Sequence, residues 1–304
     1  MLLPPFPKRL LGPKWWPTWL GLGLMWLLAR LPYRTQLAFG RFLGIFTRRL
    51  PGSRRRIARR NLEVCFPEKS AKERERLLEG SLADLGLMVA ESGLVWMSSD
   101  RAFARVPSTI EGLEHLERCK AQGRGVLLVG AHFSHLELSS RLVSQHISIT
   151  GMYRVMDNDV LDWFTLKQRL GYGDGMFTKE ELRATVKYLK RGGTVWYAPD
   201  QDMRGKDSVF VPFFGIQAST ITATHHLARL SGAAVIPFFH KRLDSGGYAL
   251  RLEAPLEDFP TEDAVADTAR VNTYIERMVR EAPSQYLWVH KRFKTRPPGA
   301  PSVY

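Results

Sequence analysis

The residues best suited to chemistry stand together in Gly130-Ala131-His132-Phe133-Ser134-His135-Leu136-Glu137. They close the apolar run GVLLVGAHF (125–133), which reads as a buried strand entered through Gly123 and Gly125. His132 is therefore expected at the C-terminal edge of a strand, where α/β folds place functional groups. Glu137 follows five residues later, in the opening turns of a helix expected from Ser134 to about Gln145. A carboxylate there can return to the imidazole, fix its tautomer and stabilise the imidazolium formed when a proton is taken up. Such a pair has no protein nucleophile and suits activation of a hydroxyl on a bound substrate. Spacing alone fits equally a capping histidine beside a solvated glutamate. His132, His135 and Glu137 could converge on zinc, but neither the HExxH order nor a further His/Cys pattern accompanies them, so no metal site is assigned. Ser134 lacks the GxSxG elbow of a serine hydrolase. No P-loop and no GxGxxG is present, and His225-His226 falls within a helical pattern that suggests packing or surface.

The elements that must position these residues alternate. Leu78, Leu82, Leu85, Val89 and Trp96 recur at helical steps through 72–97. Strand-like ISITGMY (147–153) precedes helices expected at 159–170 and 179–190, the second stopped by Gly192-Gly193. TVWYAP (194–199) reads as another buried strand, followed by a long polar loop. A helix is expected at 222–230, strands at 233–242 and 248–256, and a charged helix at 262–281. This order specifies an α/β fold, a mixed central sheet flanked by helices.

Charge divides the 304-residue chain unevenly. Residues 1–62 hold 13 Lys or Arg and no acid, whereas the other 242 residues carry 31 basic against 30 acidic side chains. The expected organisation is a cationic membrane-anchoring segment at 1–62 and a catalytic domain at 63–304. Trp15 to Ala29 is free of charge for 15 residues and contains four tryptophans. That is short of the roughly 20 apolar residues of a spanning helix, although Leu31, Pro32 and Tyr33 could extend it. Indoles suit the headgroup level, and the eight arginines of 41–60, interleaved with Phe42, Leu43, Ile45, Phe46, Leu50 and Ile57, suit an anionic lipid surface. A hydrophobic membrane-anchoring helix, lying in or spanning the bilayer, is expected here. No cleavage site of a signal peptide follows, and no zinc-finger spacing, RNP-like motif or zipper supports nucleic acid. Two cysteines without a CxxC exclude a disulfide framework.

Taken together, RRRIARRNLEVCFPE (54–68), GVLLVGAHFSHLELSS (125–140), MDNDVLDWFTLKQRLGYG (156–173), APDQDM (198–203), VFVPFFG (209–215), AAVIPFFHKR (233–242) and LWVHKRFKTRPPG (287–299) resemble the bacterial late lipid A acyltransferases. These belong to the wider lysophospholipid acyltransferase superfamily, and the resemblance spans nearly the whole chain. It implies a glycerolipid acyltransferase-like fold and places the family's His-x4-Asp/Glu motif on His132 and Glu137. It gives weight to Arg169, as a cation for phosphate or developing negative charge, and to Asp200, as a ligand for sugar hydroxyls or a support for Arg169. The implied reaction passes an acyl chain from acyl carrier protein to a 3-hydroxyl of a primary chain on a lipid A precursor, with no cofactor beyond that cosubstrate. The implied setting is the bacterial inner membrane, catalytic domain toward the cytoplasm. Another acceptor (a lysophospholipid, an ornithine lipid or a mannosylated phosphoinositide) and a noncatalytic membrane-binding protein are the alternatives.

Overall fold

The computed structural model describes residues 3–48 and 52–304; Arg49 and Leu50 of the basic stretch lie outside them. The uncharged stretch folds as α1 (Trp16–Leu28), with Pro17 in its first turn. Thirteen residues rise roughly 20 Å, against a hydrocarbon core of about 30 Å. Leu31 and Tyr33 do not lengthen α1, because the chain turns at Pro32 into α2 (Tyr33–Arg48). The expected spanning length is thus corrected: among the described residues no helix is long and apolar enough to cross a membrane. Trp16, Leu20, Leu24, Trp26 and Leu27 of α1 and Phe42, Ile45 and Phe46 of α2 are nonetheless exposed. Lys14 and Arg30 sit over the rings of Trp15 and Trp26, each 4.5 Å from the ring centroid.

α3 (Ser53–Cys65) buries Ile57, Ala58 and Leu62. It leads to α4 (Ala71–Met97), whose start is fixed by a capping box between Ser70 and Glu73. α2 lies flat against α4 because both are pared to glycine at the crossing. A Cβ on Gly86 would fall inside contact distance of Gly44 N and Gly40 O. α5 (Asp100–Phe103) and β1 (Ser108–Glu111) precede α6 (Leu113–Ala121), β2 (Val126–Val129), α7 (Leu136–Ser144), β3 (Thr150–Met152) and α8 (Asp159–Tyr172). Then come β4 (Gly175–Phe177), α9 (Leu182–Lys190), β5 (Thr194–Tyr197), β6 (Ser208–Phe213), β7 (Ile216–Ile221), α10 (Ala223–Ser231), β8 (Ala234–Arg242), β9 (Tyr248–Leu252) and α11 (Ala264–Glu281).

Seven strands form one sheet in the order β1-β9-β8-β2-β5-β3-β4. β8, β2, β5, β3 and β4 run parallel, and the antiparallel β8–β9 pairing makes the sheet mixed, as expected. At the centre both faces are buried, so β2 and β5 lack the alternation with exposed polar residues that edge strands such as β1 allow. Leu127, Val129, Val195 and Val235 face one cluster, which includes α4, α10 and α11 residues; Val126, Leu128, Trp196 and Ile236 face the other, which includes α6 and α7 residues.

The segment after β5 departs from the expected loop. β6 and β7 pair antiparallel from Ser208↔Ile221 to Phe213↔Ile216. Their two-residue connection has both Phe214 (φ 51°) and Gly215 (φ 74°) in the left-handed region, the twist a tight hairpin requires. A phenylalanine tolerates that conformation here because its ring is buried against Phe66 and Trp288, with centroids 5.2 and 6.2 Å away.

Candidate active site

β2 and β5 are hydrogen-bonded neighbours with Val129 opposite Tyr197. Three residues beyond each of these partners stand His132 and Asp200. The sheet register therefore delivers an imidazole and a carboxylate to the same place. His132 Nδ1 lies 2.6 Å from Asp200 Oδ1, and the His132 backbone N–H donates to Oδ2 at 3.0 Å. Asp200 is buried, whereas His132 keeps a quarter of its side chain exposed. The Nδ1 contact to a carboxylate selects the Nδ1–H tautomer, and among the described residues Nε2 has no hydrogen-bond partner. Burial disfavours charge on His132, but the charge and hydrogen bond of Asp200 outweigh it and raise the imidazole above its ordinary value. Burial also opposes ionisation of Asp200, yet His132, through charge and hydrogen bonds to its ring and backbone, brings the carboxyl down to about 2.

Glu137 is not the carboxylate that holds the imidazole. It stands in the first turn of α7, where both its oxygens are taken by Arg169 from the last turn of α8. Arg169 Nε donates to Oε2 at 3.2 Å and a terminal nitrogen donates to Oε1; the Trp96 indole N–H of α4 donates to Oε2 at 3.3 Å. Both side chains of this ion pair are less than one-fifth exposed. Asp200 accordingly supports His132 and not Arg169, and it is Glu137 that orients the guanidinium.

The loop carrying His132 is tied down by residues that spacing alone did not single out. Ser134 N–H donates to Gln285 O at 2.8 Å, and Leu287 N–H donates to His132 O at 3.0 Å. Gln285 also brackets Arg242, accepting from its backbone N at 2.8 Å and donating to its carbonyl at 3.0 Å. Arg242 bonds both oxygens of buried Glu91, at 2.7 and 2.9 Å, and donates to Ser134 Oγ at 3.3 Å. Tyr248 Oη adds a 2.6 Å bond to Glu91. A lone glutamate on the apolar face of the 72–97 helix was the available signal, because a buried carboxylate requires a cation. Near Asp200, His290 Nε2 accepts from Asp202 N–H at 3.3 Å. Burial lowers the His290 pKa despite the counteracting charge of Asp200, and the His132 charge lowers it further.

The molecule is thus an α/β protein with a histidine–carboxylate pair at the C-terminal edge of its central sheet. Residues 3–295 match the family model described as bacterial lipid A biosynthesis acyltransferase. The lipid A biosynthesis lauroyltransferase of Escherichia coli is 42% identical, the alignment covering 99% of each chain. The palmitoleoyltransferase of the same organism is 39% identical over 98% of each. Its myristoyltransferase is 30% identical over 99% of this chain and 94% of that one. The chain belongs to the bacterial lipid A biosynthesis acyltransferase family and is an acyltransferase enzyme.

Proposed function

We propose that this enzyme transfers a fatty acyl chain from acyl carrier protein to a 3-hydroxyl of a primary acyl chain on a lipid A precursor, with His132 as general base. The observation that carries the reading is the His132–Asp200 contact, which fixes the Nδ1–H tautomer and leaves Nε2 without a partner among the described residues. Nε2 takes the hydroxyl proton as the oxygen attacks the thioester carbonyl. Asp200 stabilises the imidazolium, as a buried carboxylate on Nδ1–H does. The tetrahedral oxyanion collapses, and the departing thiolate recovers the proton from Nε2. No metal, cofactor or acyl-enzyme takes part. Glu137 acts one step removed from the proton: it holds Arg169, whose guanidinium stabilises negative charge on the substrate or on the transition state.

The exposed apolar side chains of α1 and α2, with Lys14, Arg30 and the exposed Arg34 and Arg41, seat the protein on the anionic cytoplasmic face of the inner membrane. The acidic carrier protein meets the same cationic region. Transfer of radiolabelled acyl groups from acyl carrier protein to a purified lipid A precursor tests the reaction; wild-type turnover in Asp200→Asn would refute the assigned base. Flotation with vesicles containing anionic lipid tests the seat, and failure of the intact chain to float at low salt would refute it.

A further inference from the structure

A second feature of the same face is not used by this chemistry. Arg54 of α3, Arg154 between β3 and α8, and Lys291 and Lys294 of the C-terminal segment converge on an open cleft of about 480 Å³, together with Asp202 and His290. Four fixed positive charges thus face one carboxylate. That carboxylate is already satisfied: Thr295 N–H and Oγ1–H donate to the two Asp202 oxygens at 2.9 Å each. None of the four cations forms an ion pair with an acidic side chain among the described residues. Among the described residues, Arg54 makes a 3.2 Å bond to the Val289 carbonyl, and Lys291 a ring contact, 5.7 Å above Tyr304. The first turn of α3 lines the cleft too, and its N-cap Gly52 offers no side chain to the leading amides, so the positive end of the helix dipole adds to the field.

Several other cations of this chain are matched, although not all. Arg55, Arg59, Arg229, Arg251, Arg277 and Arg280 all meet carboxylates. Like charges gathered in excess of their counter-ions repel one another, and a bound anion relieves that repulsion. The cleft also adjoins the reaction centre. Asp202 stands two residues past Asp200, and His290, on the cleft wall, lies within the electrostatic reach of both Asp200 and His132.

We infer that this cleft binds a phosphate monoester. Resting on the function proposed above, that group is a phosphate of the glycolipid acceptor rather than the phosphodiester of the carrier protein's prosthetic arm. A monoester carries close to two negative charges at neutral pH, a diester one, and the surplus in the cleft is three. Guanidinium forks from Arg54 and Arg154 engage the phosphate oxygens, while the two lysines supply charge. His290, its pKa lowered, adds no fixed charge.

The test uses the full-length chain in detergent and the variant Arg154→Ala/Lys294→Ala. Both residues are exposed and neither side chain bonds another protein group among the described residues, so the fold should persist, as circular dichroism will show. Calorimetric titration with inorganic pyrophosphate reads the site without any acyl transfer. Two lost charge-assisted contacts should weaken binding by about a hundredfold, at about tenfold each. Steady-state kinetics then compare a phosphorylated acceptor with its phosphatase-treated form. The variant should raise KM at least tenfold for the first, and the gap between variant and wild type should close for the second. Equal pyrophosphate affinity in the two proteins would overturn the site. A KM increase confined to the acyl carrier protein donor would overturn the acceptor assignment. Loss of pyrophosphate binding in the variant, with no acylation of any lipid A precursor by wild type, would keep the phosphate site and overturn the proposed reaction instead.

Discussion

His132 and His225 each turn Nδ1 toward an aspartate, Asp200 at 2.6 Å and Asp267 at 2.8 Å. The two contacts are nearly the same, but their surroundings are not. His225 is 4% exposed and Asp267 fully buried; Asp267 also accepts from Thr261 N–H and Oγ1–H at 2.8 and 3.1 Å. That pair bolts α10 to the start of α11, well inside the molecule. His132 is presented by a strand-end loop and keeps a quarter of its surface, with Nε2 unbonded among the described residues. A histidine–carboxylate contact is therefore no mark of chemistry in itself. The ring must also keep its far nitrogen within reach of a substrate.

The comparison breaks most cleanly on turnover. His132→Ala should lower kcat about 10²–10⁴-fold, the usual worth of a general base, in protein that remains folded. His225→Ala should keep turnover per folded molecule near wild type, and an acyl-transfer assay corrected for folded fraction reads both. A comparable loss in His225→Ala would erase the distinction between the pairs. Stability should not separate the pairs so sharply. Removing His225 takes one partner from the buried Asp267 carboxylate, which keeps Thr261 and Arg270, at a cost of about 2 kcal/mol in a denaturant melt. His132→Ala should move the same melt by a comparable amount, since it takes a partner from the equally buried Asp200.

Arg169→Lys probes the carboxylate that left the imidazole. An ammonium cannot hold both Glu137 oxygens, so turnover should fall about tenfold while the positive charge remains. An unimpaired lysine variant would reduce Arg169 to a cation at the end of α8. The smallest effect concerns pH. Neutral His132 is the active form, and Asp200 raises its pKa, so kcat/KM should climb with pH through a limb above the imidazole's ordinary 6.5. Asp200→Asn should bring that limb down in whatever activity survives. The stabilisation from the pair has matching signs. The share linked to His132 is complete below pH 6.5 and fades as pH rises through the raised value. The share linked to Asp200 is complete above its ordinary 3.8 and is lost as pH falls toward 2. A limb unmoved in Asp200→Asn would separate the aspartate from the base.

His132 was legible as a single residue because it closes an apolar run, and strand ends are visible in a sequence; Asp200 was singled out by the family resemblance. Their partnership was not legible. It depends on β2 and β5 being neighbours in the sheet, and nothing in two runs 68 residues apart states which strands touch. Glu137 looked like the imidazole's partner because it was close in sequence, while the cation that claims it enters from α8. The β6–β7 hairpin was read as a loop because its polar flanks masked the alternation of Val209, Val211 and Phe213. The Arg242–Glu91 pair was missed for a similar reason, since its two halves belong to a helix and a strand 151 residues apart. What the sequence displays is local periodicity. What assembles this site is adjacency, and burial of both sheet faces decides that.

Val129 opposite Tyr197 acts as a common origin from which the chain counts three residues to His132 and three to Asp200. The site is thereby exacting about length. Shortening either connection by one residue, for instance by deleting buried Ala131, would shift one partner by a full residue spacing of about 3.8 Å, farther than the bond between them can stretch. Replacing Ala131 by another small residue leaves the count intact. For anyone rebuilding this enzyme, the two segments after β2 and β5 are a matched pair of spacers, to be altered in sequence only by small residues after β2 and in number not at all.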